Sequence, residues 1–302
     1  MQPEPRLSVA RGHYRRCLLC EHRCGVDRTA GPSGKCKAGA NARVFRHRVE
    51  YGDEREIAPS HLFYLSGCDL RCAFCINELN AFDTRRGEEL TPEFFRAAVA
   101  AQRHLAPRTL QWVGGEPTIH LPVVLEAMAG CPDLPRVVWK TDLHGTPEAF
   151  DLLDGVVDLY LADFKFGNDA CAGRIAKVER YTEIVTRNLR QVARQGDLIV
   201  RHLLLPGPAV RERDRVLRPG GTRGRPGSHG ISGAPPPAGP RTVLRIVRET
   251  AGPGPGRANR RQVGPRRRGL TRRAGPIGPA RRVRRQVFLL GHGTPPERGY
   301  GT

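Results

Sequence analysis

Apolar positions between residues 58 and 207 repeat with two periods in turn. Short runs rich in β-branched and aromatic residues at 61–65, 109–113, 136–141, 156–163 and 198–205 read as five strands. Between them the spacing turns helical. Phe94, Phe95, Ala98 and Val99 follow a Thr91-Pro92-Glu93 start, and an apolar segment spans 121–128. Phe150, Leu152 and Leu153 follow Thr146-Pro147-Glu148. In both starts the threonine can cap a free N–H, the proline needs no donor, and the acid faces the positive end of the helix. Tyr181, Ile184, Val185, Leu189 and Val192 share one helical face, and Gly196 fits the position after it. Residues 1–12 read as a loose start. Strands alternating with helices argue for a parallel sheet with helical crossovers, an α/β fold. Such sheets collect ligands at the carboxyl ends of their strands.

The chemistry-bearing residues fall at those ends. The first strand runs into Ser66-Gly67-Cys68-Asp69-Leu70-Arg71-Cys72-Ala73-Phe74-Cys75-Ile76-Asn77, with cysteines at C-x3-C-x2-C. Thiolates are soft ligands suited to iron–sulfur clusters, which four cysteines normally hold. Three on one loop would hold three irons of a four-iron cluster and leave the fourth open to a ligand. Zinc asks for a fourth protein ligand or a histidine, and no histidine lies between Cys68 and Cys75. Disulfides would suit a secreted chain, and no signal peptide is apparent.

C-x3-C-x-aromatic-C after a first strand, with Phe74 as the aromatic, resembles the motif of radical S-adenosylmethionine (SAM) enzymes. Ser66-Gly67-Cys68 and Cys75-Ile76-Asn77 look most like relatives of the pyruvate formate-lyase activating enzyme. The resemblance implies a partial (β/α)6 barrel and a 4Fe-4S cluster on Cys68, Cys72 and Cys75. It implies SAM bound through its amino and carboxylate groups, and cleavage by one electron to a 5′-deoxyadenosyl radical. An electron donor such as flavodoxin or ferredoxin and a glycyl radical enzyme are the implied partners. Gly114-Gly115-Glu116-Pro117 resembles the second hallmark, in which glycines allow close approach to a ligand and the acid pairs with the substrate ammonium. Asp163-Phe164-Lys165 resembles the activases' Asp-x-Lys, which contacts SAM or its surroundings. Arg201, with His202, precedes an apolar run and Pro206-Gly207, where a cation could face the SAM carboxylate. Thr141 and Asp142 give a weaker signal. His120 and His144 read as structural, and Cys131 and Cys171 as bystanders.

Upstream, Cys17, Cys20, Cys24 and Cys36 form C-x2-C-x3-C-x11-C among Gly25, Gly31, Gly34 and Gly39. Four thiolates suit a structural zinc or a second iron–sulfur cluster. A four-cysteine leader of this kind, over 1–57, resembles uncharacterised activase homologues, as does the 52–57 stretch that precedes the cluster strand.

Charge changes the picture only at the end. The 302 residues carry a net +20, but residues 207–302 hold 22 arginines, no lysine and four acids, which leaves +2 for the rest. Residues 1–206 are therefore near neutral and not an evident nucleic-acid binder. No apolar run approaches the ~18 residues of a membrane span, and the cysteine usage suits a reducing cytoplasm. Over 208–302 sustained periodicity lapses, leaving fragments at 243–247 and 287–290. This Arg/Gly/Pro-rich composition is expected to be disordered and to supply no last barrel strand. An RGG-like nucleic-acid tail is disfavoured, since only Phe288 and Tyr300 are aromatic there. A solvated tail is a second reading. A reading-frame shift after Pro206 is favoured, because Arg, Gly, Pro and Ala are encoded by GC-rich codons. The alternative to an active enzyme is an inactive cluster-binding remnant with a basic interaction tail.

Overall fold

The computed structural model describes residues 3–52, 54–204 and 242–248. In chain order these form α1 (Pro3–Arg15), β1 (Arg43–Glu50), β2 (Ser60–Leu65), α2 (Glu78–Ala81), β3 (Glu88–Glu89), α3 (Pro92–Gln102), β4 (Thr109–Gly114) and α4 (Leu121–Ala129). They continue with β5 (Arg136–Thr141), α5 (Pro147–Asp151), β6 (Leu159–Phe164), α6 (Asp169–Ala176), α7 (Tyr181–Gln195), β7 (Asp197–Leu204) and β8 (Thr242–Arg248). One sheet runs in the order β3-β1-β2-β4-β5-β6-β7-β8. Neighbours from β2 to β8 are parallel, and β1 is antiparallel to both β2 and β3. The expected mixed α/β architecture, a partial barrel, is present.

The caps act as the sequence suggested. Thr91 Oγ1 accepts from Phe94 N at 3.1 Å and Thr146 Oγ1 from Ala149 N at 3.3 Å. Phe63, Phe95 and Trp112 stack between β2, α3 and β4, with ring centroids 5.0–5.2 Å apart. The other face of the strands lines the barrel interior. Ile57, Val138, Leu159, Leu161 and Ile199 close it with an apolar plug. Because side chains alternate along a strand, the residues two further on, Lys140, Asp163 and Arg201, share that inner face. There they line a cavity. One strand therefore places an apolar residue low in the barrel and a charged one at its mouth.

Two expectations are corrected, and one strand, β1, is absent from the sequence reading. The loose start is helix α1, whose Leu7 and Ala10 are buried and whose Arg11 pairs with Glu126 of α4 at 2.9 Å. Its two buried positions are too few to show as a periodic face. β1, Arg-Val-Phe-Arg-His-Arg-Val-Glu, reads as polar yet pairs along β2, with Arg46 and Arg48 exposed and Val44 buried. The missing last strand is also corrected, because β8 pairs in parallel with β7 from Leu198↔Thr242 to Leu204↔Arg248. Its Thr-Val-Leu-Arg-Ile-Val-Arg sequence has β propensity, and the β7 edge would otherwise leave backbone groups unpaired. The remaining expectations for 208–302 lie outside the described residues. Among the described residues no helix is long and apolar enough to cross a membrane.

Candidate active site

The cysteine loop leaves β2 at Leu65 and is held by backbone on every side. Ser66 N donates to Arg43 O at 2.9 Å and Gly67 N to Asn80 O at 3.0 Å. Arg71 Nη1 reaches back to Cys68 O at 2.6 Å, and His120 Nε2 bonds Ser66 O at 2.7 Å. His120 is thus structural, as expected, but it anchors the cysteine loop itself. Cys68 and Cys72 are buried and Cys75 is half-buried. Burial raises all three thiols, Cys72 to about 12, with Lys165 pulling the other way on Cys72 and Cys75. Metal binding here must displace protons.

Gly114 and Gly115 end β4 against this loop. Gly114 has φ +130°, which favours glycine. A Cβ on Gly115 would collide with the Gly67 carbonyl oxygen and lie 3.1 Å from Cys68 Cβ. Gly115 N donates to Leu65 O at 2.9 Å and Glu116 N to Gly67 O at 3.0 Å. The close approach these glycines permit is therefore to the cysteine loop. Pro117 is buried and opens a short 3-10 turn.

Glu116 is 1% exposed. Its Oε1 accepts from Thr118 N at 3.1 Å, Thr118 Oγ1 at 2.5 Å and Thr141 Oγ1 at 2.9 Å. Its Oε2 accepts from Asp142 N at 2.8 Å, so capacity for a ligand remains only at Oε2. Burial, then the charge of Asp69, raises this carboxyl to about 7 against those hydrogen bonds. Asp142 is also buried. Its Oδ1 accepts from His144 N at 3.0 Å and, among the described residues, its Oδ2 has no partner. A ligand atom of Cys68, Asp69 and Asp142 each lies within 4.8 Å of the others. Burial and the Asp69 and Glu116 charges raise Asp142 well above the carboxylate range.

A cavity of about 410 Å³ opens over the loop, within the usual range for small-molecule sites. Cys68, Cys72, Cys75, Gly114, Gly115 and Glu116 line one side, and Lys140, Thr141, Asp142, Asp163, Lys165 and Arg201 the other. Asp163 and Arg201 are register partners across β6 and β7. Arg201 bonds Asp163 Oδ1 through Nε at 2.7 Å and Nη2 at 2.6 Å, and Lys165 Nζ lies 3.2 Å from Oδ2. Burial works against the Asp163 anion, but Arg201 and Lys165 outweigh it and hold the carboxyl well below its usual range. Lys140, Lys165 and Arg201 outnumber the carboxyls of Asp142 and Asp163 on this wall, so it suits an anionic group.

Sequence reasoning missed several residues. Arg46 of β1 lines the cavity with its guanidinium 4.1 Å from the centre of the Tyr64 ring. His144 Nδ1 pairs with the buried Asp69 Oδ2 at 2.8 Å, and this pairing outweighs burial to keep Asp69 low. Asn188 of α7 donates to Leu143 O and Gly145 O, at 2.8 and 2.7 Å, and so holds the loop after β5. Polar residues after a strand end are the only sequence signal, and they do not say which neighbour they meet. Cys131 and Cys171 do not line the cavity.

The leader docks on that same loop. Glu21 N donates to His144 O at 2.9 Å, Thr146 N to Leu19 O at 3.1 Å, and His22 Nε2 lies 3.0 Å from Asp69 O. Cys17, Cys20 and Cys36 are buried and Cys24 is exposed. Burial raises Cys20 most, followed by the charges of Asp69, Cys36 and Cys17. Cys24 Sγ accepts from Lys35 N at 3.4 Å.

An uncharacterised protein of Methanocaldococcus jannaschii is 34% identical over 208 residues, which are 67% of this chain and 60% of that one. The chain thus spans 60% of the length of this relative. Among solved structures, QueE from Escherichia coli is 14% identical with TM-score 0.32, over 54% of this chain and 84% of that one. Streptococcus suis SuiB bound to precursor peptide SuiA is 14% identical with TM-score 0.37, over 49% and 34%. The radical SAM methyltransferase TsrM from Kitasatospora setae, with cobalamin and a 4Fe-4S cluster bound, is 19% identical with TM-score 0.36, over 49% and 31%. The model of the radical SAM superfamily matches residues 62–218, more than half of the chain and the part that carries the cysteine loop and the cavity. The chain belongs to the radical SAM superfamily.

Proposed function

We propose that this chain reductively cleaves SAM and directs the resulting radical to a glycine of a partner enzyme. The observation that carries the reading is three cysteine thiols on one loop, facing a cavity whose far wall is cationic. Family membership implies a 4Fe-4S cluster and SAM, and the residues fit them. Soft thiols are offered on one loop, no fourth cysteine lines the cavity, and the buried Asp142 Oδ2 still lacks a donor. Cys68, Cys72 and Cys75 would hold the cluster, which supplies one electron for scission of SAM to methionine and a 5′-deoxyadenosyl radical. Glu116 Oε2 and Asp142 Oδ2 would accept from the SAM amino group, and Arg201 and Lys165 would face its carboxylate. The Gly67–Gly115 contact fixes the loop against β4. Leu203, Val113 and Tyr64 give the mouth an apolar wall that limits water near a reactive species.

The glycine as hydrogen donor rests on the resemblance of Ser66-Gly67-Cys68 and Cys75-Ile76-Asn77 to activases. A flavodoxin or ferredoxin is the proposed electron donor, and Cys17, Cys20, Cys24 and Cys36 are proposed to hold a second metal, zinc or iron–sulfur. The test is anaerobic incubation of reconstituted protein, SAM and reductant with a glycyl radical enzyme encoded beside it. A glycine-centred EPR signal on the partner is expected. SAM cleavage with no partner radical would remove the activase reading and leave the superfamily chemistry.

A further inference from the structure

Arg28 is a charged side chain enclosed in the fold at 2% exposure. A guanidinium stays charged in a folded protein, and taking a charge out of water costs several kcal/mol unless an opposite charge stands near. Its hydrogen bonds go to neutral carbonyls, Nε to Gly39 O at 2.8 Å and Nη1 to Ile119 O at 2.6 Å. Among the described residues its Nη2 has no partner. Among the described residues no carboxylate pairs with it. What lies beside it is sulfur: Nη1 is 3.9 Å from Cys17 Sγ.

We propose that Arg28 is the buried counter-charge of an anionic, all-cysteine metal centre held by Cys17, Cys20, Cys24 and Cys36. This rests on the reading above that those four cysteines bind metal. Each thiol gives its proton to solvent as its sulfur bonds the metal. Four thiolates around a four-iron core of charge +2 leave a net charge of about −2, and one enclosed cation offsets half of it. The otherwise uncompensated guanidinium thereby gains the partner that its burial requires. Arg28 is a positioning residue, since it acts through the cysteines and meets no substrate. Its position has a second consequence. The carbonyl it holds, Ile119 O, precedes His120, which bonds Ser66 O at the head of the other cysteine loop. The guanidinium therefore ties the leader to the SAM site.

The rival account is that Arg28 only braces two carbonyls. Full-length chains lacking Cys68, Cys72 and Cys75 would carry metal at the leader alone. In that background, metal release to a chelator is followed by elemental analysis for Arg28→Met and Arg28→Lys. The Met variant is expected to lose metal about 10- to 100-fold faster, as supporting partners of metal ligands commonly do. The Lys variant, which keeps the charge, is expected within a few-fold of the parent. Equal release from parent and Met variant, or equally fast release from Met and Lys, overturns the proposal. Should the Met variant fail to fold, the same change is made with Cys17 and Cys36 replaced by serine. Without thiolates to neutralise, Arg28→Met should then leave the urea midpoint unchanged or raise it, and a lowered midpoint would mean bracing alone. A parent holding neither zinc nor iron defeats the leader reading itself, and this proposal with it.

Discussion

Replacing Glu116 by glutamine tests whether a carboxyl can be both structural and tuned. Its two oxygens accept four hydrogen bonds, and one of the donors, Thr118 Oγ1, itself accepts from Trp139 Nε1 at 3.1 Å. Both tryptophans, Trp112 and Trp139, are fully buried, so their fluorescence during urea unfolding reports this network. The folded carboxyl titrates near 7 against a reference of 4.5. Because the folded value is the higher, the native state keeps a proton that the unfolded chain has released. Wild-type stability is therefore lost as pH rises from about 4.5 to about 7. At 1.36 kcal/mol per unit, the loss between pH 5 and pH 8 is about 2–3 kcal/mol. Glu116→Gln lacks this term. It is also less stable at low pH by about 1–3 kcal/mol, because an amide cannot accept at both positions and leaves a buried donor unpaired. The wild-type and variant stabilities should converge as pH rises from 5 to 8. Parallel curves would refute the raised carboxyl. The same titration makes SAM binding weaken about tenfold per unit below pH 7 if only the anion accepts from its amino group, and calorimetry at pH 6 and pH 8 reads that directly.

Gly115→Ala sets a methyl group against the Gly67 carbonyl. It should cost about 1–3 kcal/mol of overpacking strain and lower iron per chain while circular dichroism stays native; full iron content would contradict the proposed contact. Asp163→Asn removes the partner of Arg201 and Lys165. Partial exposure reduces the usual cost of breaking a buried pair to about 2–3 kcal/mol, read as a lowered melting temperature, and an unchanged temperature would make the pairing incidental.

The parallel core was legible because its strands are buried on both faces and read as apolar runs, as in β4 and β6. The helix starts at Thr91 and Thr146 were legible because caps are local chemistry. α1 and β1 were not, since their burial comes from neighbours: α1 is held by α4, and β1 by the β2 edge. β8 was masked by the arginine-rich composition around it. In the site, cysteine spacing and the Gly-Gly-Glu-Pro turn could be read directly. The roles of Asp142, His144, Arg28 and Arg46 could not, because each depends on a partner far away in sequence, such as Asp69 for His144 and Ile119 for Arg28. The Gly114-Gly115 pair lines the cavity and also admits the backbone of the cysteine loop, a contact the sequence does not announce.

The central claim is that Cys68, Cys72 and Cys75 support reductive cleavage of SAM in the cavity above them. Chromatographic quantitation of 5′-deoxyadenosine and methionine tests it most directly, using anaerobically reconstituted protein with SAM and a low-potential reductant. The account predicts equal amounts of the two products, and none from Cys72→Ala. A reconstituted wild-type cluster that forms no 5′-deoxyadenosine, or a Cys72→Ala chain that forms as much as the wild type, would contradict it.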